Sequence, residues 1–217
     1  MKNIVKLTLS TLLCLTGVSQ AAVSVTAGDF TGTNYTYEIP ITSASAFQNA
    51  HNAVVHSSTG VSYRSESGSL ITYTFAGNSN SLVYRWSFSG VVPLKATIRD
   101  TATLFTGSGE QARATISFST NGTDYTPIRV FNSSDSPSGS TETSNVSLGA
   151  GASEFYYKVE MDDVVGTLDS IEKQWLRSTI HATNPSPFSA TFSTVPEPSS
   201  TALLSLAGFS LLIRRRR

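Results

Sequence analysis

Cysteine is almost missing from this chain: Cys14 is the one residue of its kind in 217. It falls in an apolar N-terminal stretch, so the rest of the chain has neither a disulfide framework nor a thiol nucleophile, and its stability has to come from packing. Charge is sparse too, at 14% Asp, Glu, Lys and Arg. No long stretch of the interior carries apolar residues at the helical period, which excludes a body built from helical layers. No Gly-x-Ser-x-Gly elbow is present, and no internal repeat. What the chain does have is concentrated at its two ends and in a Thr-, Ser- and Gly-rich middle.

The N-terminal end reads as an export signal. Lys2 and Lys6 form a basic region, residues 7–18 an apolar one, and Ser19-Gln20-Ala21 a small-x-small site, which places a signal peptidase cut after Ala21. Leu13 precedes Cys14 where lipidation would need a small residue, so Cys14 belongs to the discarded peptide. At the other end Val195-Pro196-Glu197-Pro198 leads into residues 199–213, which carry no charge, and then into Arg214, Arg215, Arg216 and Arg217. As a helix at about 1.5 Å per residue the apolar run reaches about 22 Å, short of a hydrocarbon core of about 30 Å. Snorkelling of the arginines and their preference for the cytoplasmic side compensate. Pro196 and Pro198 suit the approach to a helix rather than its interior.

This order of spacer, short span and basic stop resembles the PEP-CTERM sorting signal of exported bacterial proteins, with Pro196, Glu197 and Pro198 as the signature tripeptide. The resemblance implies recognition and processing by a membrane-embedded exosortase. It also implies a transient stay in the inner membrane and delivery to the cell surface or the exterior. The expected organisation is therefore a signal peptide over 1–21, a folded body over 22–194 and a sorting signal over 195–217.

Two of the chain's fifteen basic residues lie in the leader and four at the tail, and one of its fifteen acidic residues is Glu197; the body keeps nine and fourteen, a net −5. Mild acidity argues against nucleic acid as a partner. About 170 residues suffice for one domain with a core. Alternating apolar and polar residues predict strands at 69–75, 82–88, 94–105, 113–119, 125–131, 155–161 and 176–182. Asn121-Gly122 predicts a tight hairpin turn. A short helix is expected over 44–54 and a helical turn near 168–175. The fold class is all-β: an antiparallel, jelly-roll-like sandwich flanked by a signal helix and a short transmembrane helix. Between residues 63 and 128 the body resembles galactose-binding-like jelly rolls. The carrying residues are Tyr63-Arg64-Ser65-Glu66-Ser67-Gly68 and Ser117-Phe118-Ser119-Thr120-Asn121-Gly122-Thr123-Asp124-Tyr125, with Asn121 where that family more often has Asp. No ligand residue carries over from this resemblance.

Candidates for chemistry are few. His51 and His56 are five apart, not the three or four of a helical metal pair, and with His181 read as surface residues. Glu160, Asp162, Asp163 and Asp169 would form an acidic loop, with Asp162 and Asp163 the candidate calcium ligands; no other cofactor is indicated. Tyr156, Trp175 and Tyr63 are the aromatics placed to face outward and stack on sugar rings. Sequons begin at Asn34, Asn121, Asn132 and Asn145. The leading reading is a non-enzymatic exported surface or matrix protein whose sandwich contacts extracellular polysaccharide or other envelope material. A dedicated carbohydrate-binding module is the alternative. A secreted glycosidase or lyase, which would need two opposed carboxylates in a pocket, ranks third.

Overall fold

The structure is a computed structural model that describes residues 22–66, 70–75, 80–105, 111–133, 140–165, 172–180 and 186–194. The expected leader and tail helices, the cut after Ala21, the tripeptide Pro196-Glu197-Pro198, the arginines at 214–217, Asp169 and His181 fall outside these residues. In chain order the elements are β1 (Val23–Thr26), β2 (Asn34–Glu38), α1 (Ala44–Val54), β3 (Val55–Thr59), β4 (Val61–Glu66), β5 (Leu70–Phe75), β6 (Ser81–Ser89), β7 (Lys95–Phe105), β8 (Gln111–Ser119), β9 (Thr126–Asn132), β10 (Ser140–Ser147), β11 (Glu154–Val165), β12 (Glu172–Thr179) and β13 (Ser189–Ser193).

These strands make two facing sheets, antiparallel except where β1 runs parallel to β6. The first sheet runs β6-β11-β8-β9, and the remaining edge of β6 is divided between β3 over its first half and β1 over its second. In the second sheet β7 has β10 along one edge, while its other edge meets β13 and then β12. Beyond β13 lies β2, and beyond β12 lie β5 and β4.

Period-two alternation decides which side chains the sheets enclose. Leu82, Tyr84, Trp86 and Phe88 of β6 and Phe155, Tyr157, Val159 and Met161 of β11 point into the space between the sheets and are buried. From the second sheet come Ile71, Tyr73, Phe75, Ala96, Ile98, Ala190 and Phe192. Aromatic rings dominate the centre: Trp86 stacks on Phe188 at 6.2 Å between centroids, and Phe155 meets Phe192 edge-on at 5.3 Å. Each such ring contributes a large apolar area, which replaces the disulfides this body lacks.

Helix α1 forms over the expected span. The Ser43 hydroxyl caps it by accepting the Ala46 N–H at 3.1 Å. Phe47, His51 and Val54, at i, i+4 and i+7, fall on one face and are buried. The predicted strands at 69–75, 82–88, 94–105, 113–119, 125–131 and 155–161 form to within a few residues at each end. Two expectations are corrected here. The last predicted strand starts earlier, at Glu172, so Trp175 lies in β12 rather than in a helical turn. Asn121-Gly122 does not form a two-residue turn, because Asn121 keeps a negative φ and pairing resumes only at Thr126. The turn is closed instead by the Asn121 side chain: its Oδ1 accepts the N–H groups of Thr123 and Asp124, each at 2.9 Å.

Candidate functional site

The outward positions of the second sheet build an extended polar face. Register across β10, β7, β13 and β2 aligns three rows: Asn145, Thr97, Thr191 and Thr36; Thr143, Arg99, Ser189 and Glu38; and Ser147, Lys95, Ser193 and Asn34. Neighbouring strands lie roughly 4.8 Å apart, so these side chains form a close lattice of hydroxyls and amides, with Lys95, Arg99 and Glu38 set among them. They bond to one another across the strands. Thr36 and Thr191 share a hydroxyl contact at 3.0 Å, Thr97 donates to Asn145 Oδ1 at 2.8 Å, and Ser193 donates to Asn34 Oδ1 at 2.6 Å. These bonds fix side chains that would otherwise rotate freely. The three rows contain no aromatic residue and offer hydrogen bonding across four strands. Two of the four sequon asparagines, Asn34 and Asn145, sit on this face and are exposed.

The outward face of the first sheet differs in chemistry. Arg85 forms a salt bridge with Glu154, which accepts the Tyr156 hydroxyl at 2.7 Å, and the Arg85 guanidinium lies 5.5 Å from the Tyr156 ring centroid. The Arg85 contact holds the Glu154 carboxyl below its usual range, with the Tyr156 hydroxyl adding to the effect. His56 meets the same ring edge-on at 5.5 Å, and burial pushes its pKa down. Further along, Lys158 pairs with Glu160 at 2.7 Å and lies 4.8 Å from the Tyr125 ring centroid.

None of the three aromatics chosen for sugar stacking presents an open ring. Tyr156 does point outward, but it is only 7% exposed because the β8–β9 turn folds over it; a Cβ on Gly122 would lie 2.9 Å from Tyr156 Cζ. Trp175 is fully buried, since its register opposite Ala102 and Tyr73 gives it the inward phase, and its indole N–H donates to the Tyr84 hydroxyl at 3.0 Å. Tyr63 pairs with Tyr73 in register and turns inward against Phe47 and Tyr73, half-buried. The strand phases of β4 and β12 were not readable from sequence, because both strands are mostly polar.

The acidic positions are corrected as well. Asp162 and Asp163 are not in a loop but in β11, where adjacent residues face opposite sides of the sheet and cannot converge on one ion. Asp163 turns inward and meets Lys173 Nζ at 2.6 Å, with side-chain exposures of 3% and 1%. Among the described residues no group of three or more His, Cys, Asp and Glu is placed to hold a metal ion. A second charged contact joins the sheets where Asp100 of β7 accepts hydrogen bonds from Arg129 of β9 and the Tyr157 hydroxyl of β11. Burial raises the Asp100 pKa from its ordinary range, against the pull of Arg129. His51, read from sequence as a surface residue, is 3% exposed and stacks on Tyr73 at 3.5 Å between ring centroids. Burial lowers its pKa to about 3, so it is neutral in the fold.

The chain leaves the sandwich at Thr194. Its N–H donates to the Thr33 carbonyl at 3.0 Å, and the preceding Ser193 carbonyl accepts the Leu94 N–H at 2.8 Å. From this point residues 194–217 match the PEP-CTERM protein-sorting motif. The chain thus carries this motif at its C-terminal end and is an exported protein sorted through that end. Pro196, Glu197 and Pro198 fall within the matched segment. No helix among the described residues is long and apolar enough to cross a membrane.

No curated protein matches the chain. Solved structures with a similar arrangement include the Cry4Aa toxin of Bacillus thuringiensis, at 9% identity and a TM-score of 0.42 over 81% of this chain. The match takes in 25% of the toxin, so the chain spans about a quarter of its length. A family 29 carbohydrate-binding module is similar at 8% identity and a TM-score of 0.35, over 65% of this chain and 85% of the module. A CBM4 structure is similar at 10% identity and a TM-score of 0.34, over 75% of this chain and 84% of that one.

Proposed function

We propose that this protein is an exported, exosortase-processed cell-surface or matrix protein whose sandwich is a non-catalytic body in contact with extracellular polysaccharide. The observation that carries the reading is the sorting motif that starts at Thr194, directly after the last strand. Processing there delivers the body to the outside, where polysaccharide is the abundant polyhydroxylated material. Support for the contact comes from the rows of Thr, Ser and Asn on the second sheet. Their bonded hydroxyls and amides offer donors and acceptors over a broad area, and such a face suits many weak contacts along a polymer. Tyr156, Trp175 and Tyr63 are committed to packing, which favours this broad mode over ring stacking by a dedicated module.

Affinity electrophoresis of the mature body through gels containing the host's envelope polysaccharide tests the contact. Thr191→Glu and Thr97→Glu place carboxylates at the centre of the rows and are expected to abolish the retardation shown by the unaltered body, with circular dichroism unchanged. Equal retardation of the variants would contradict the assignment of this face. Saturable binding of one short oligosaccharide would favour the dedicated module instead.

A further inference from the structure

The distance between the folded body and its sorting motif is almost nil. Ser193 is the last residue of β13, and β13 is hydrogen-bonded on both sides, to β2 and to β7. Phe192 within it is fully buried and meets the rings of Trp86, Phe88 and Phe155 at 4.9 to 5.4 Å. Thr194 is tied down once more, its N–H and hydroxyl both directed at the Thr33 carbonyl, at 3.0 and 3.3 Å. Chain extends at most about 3.6 Å per residue, so Pro196 lies no more than about 7 Å from this clamp. A processing enzyme that grips Pro196-Glu197-Pro198 therefore meets the end of the sandwich itself, unless β13 is torn out of the core.

That end has a definite composition. Backbone bonds join Leu148 to Leu94 at 2.8 Å and Ala152 to Pro93 at 3.2 Å, which draws the loops at 90–94 and 148–153 into one rim beside the exit point. Together with 31–33 the rim consists of Thr, Gly, Val, Pro, Leu, Ala and Ser and carries no charged side chain. Val92 stands 52% exposed on it, with Val130 and Val164 the other large apolar side chains exposed among the described residues. Gly151, at φ +100°, gives Val92 its seat: a Cβ there would lie 2.1 Å from Val92 Cγ1.

We infer that this uncharged rim around Val92 is the surface on which the membrane-embedded processing enzyme docks, so that the folded sandwich is itself part of the substrate. The inference rests on the sorting reading given above. A rim without charges can be covered by a partner without the cost of desolvating an ion. The commitment is to a protein partner, not to lipid.

The test uses the full chain in its native host, with pulse-chase labelling and mass analysis of the precursor and product. Val92→Glu and Ala150→Glu, each at an exposed rim position, are expected to slow processing by about tenfold, the effect of losing one good contact. When a flexible Gly-Ser linker of about twelve residues is inserted between Thr194 and Val195, both variants are expected to be processed at the rate of the linker-bearing parent chain. Such a linker carries the motif clear of the rim. Processing of both variants at the unaltered rate without the linker would overturn the inference, as would slowing that persists with it. Binding of the purified body to phosphatidylethanolamine and phosphatidylglycerol vesicles, lost in Val92→Glu, would make the rim a lipid contact and overturn it too. A Pro196-Glu197-Pro198→Ala control separates the two levels: normal processing of that variant defeats the sorting reading itself.

Discussion

Lys173 Nζ and the Asp163 carboxylate meet at 2.6 Å in the interior, one from each sheet, with almost no exposure to solvent. Removing one partner takes this close counter-charge from the other in a medium that solvates charge poorly, whereas removing both does not. Lys173→Met alone and Asp163→Leu alone are each predicted to cost about 3–5 kcal/mol, and the double variant to recover most of that loss. Urea unfolding of the four proteins in a double-mutant cycle measures this. Simple additivity of the two losses would show that the pair is not coupled.

Any substitution of Gly122 is predicted to destabilise the body for two independent reasons. Its φ of +76° strains any L side chain, and a Cβ would overlap the Tyr156 ring at 2.9 Å. Gly122→Ala is expected to destabilise the body by about 1–3 kcal/mol. In a Tyr156→Ser background the steric part vanishes and the cost falls toward the backbone part alone. Thermal unfolding of the two pairs checks it, and an equal cost in both backgrounds would refute the overlap.

His51 makes stability depend on pH. Its pKa falls from the usual 6.5 to about 3 on folding, because burial disfavours the charged ring. Between those values the unfolded chain binds the extra proton, so the His51 contribution is fully present above pH 6.5 and is lost as pH falls toward 3. Asp100 acts with the opposite sign, its pKa being raised by burial. The isolating comparison is therefore wild type against His51→Phe, which share Asp100. The phenylalanine variant is predicted to lose less stability between pH 7 and pH 4, read from urea midpoints; parallel pH profiles would contradict a neutral buried His51.

Trp175 belongs to the core rather than to a ligand. Trp175→Phe removes the indole N–H that reaches the Tyr84 hydroxyl at 3.0 Å and leaves that hydroxyl without this donor. A loss of about 1–3 kcal/mol is expected, with retardation in polysaccharide gels unchanged once the variant is folded. Selective loss of retardation at full stability would restore Trp175 as a contact residue.

The sequence made one class of strand legible and hid the other. β6 and β11 alternate large apolar residues with polar ones, so both their existence and their phase could be read. β10 alternates polar with polar residues, as in Thr141-x-Thr143-x-Asn145-x-Ser147, so apolar periodicity is silent there, although a period-two rhythm of hydroxyls was available. β2 and β13 do alternate, with Tyr35 and Tyr37 or Ala190 and Phe192 on one face, but over only five residues each. Trp175 was misplaced because its strand could be phased only through a partner distant in sequence, Ala102, and Tyr63 because β4, the hairpin partner of β5, was not among the expected strands. Asp163 was misread because its partner Lys173 lies across the sandwich on another strand. Pro196-Glu197-Pro198, in contrast, is a contiguous signal that needs no fold to be recognised, and it was readable at once.

The proposed export route has this chain cut at both ends on its way out of the cell. Intact mass of the protein recovered from the envelope and medium of its native host tests that most directly. The account predicts a species that begins at Ala22 and ends within the matched segment 194–217, without the four terminal arginines. A mass equal to the entire 217-residue chain would contradict it.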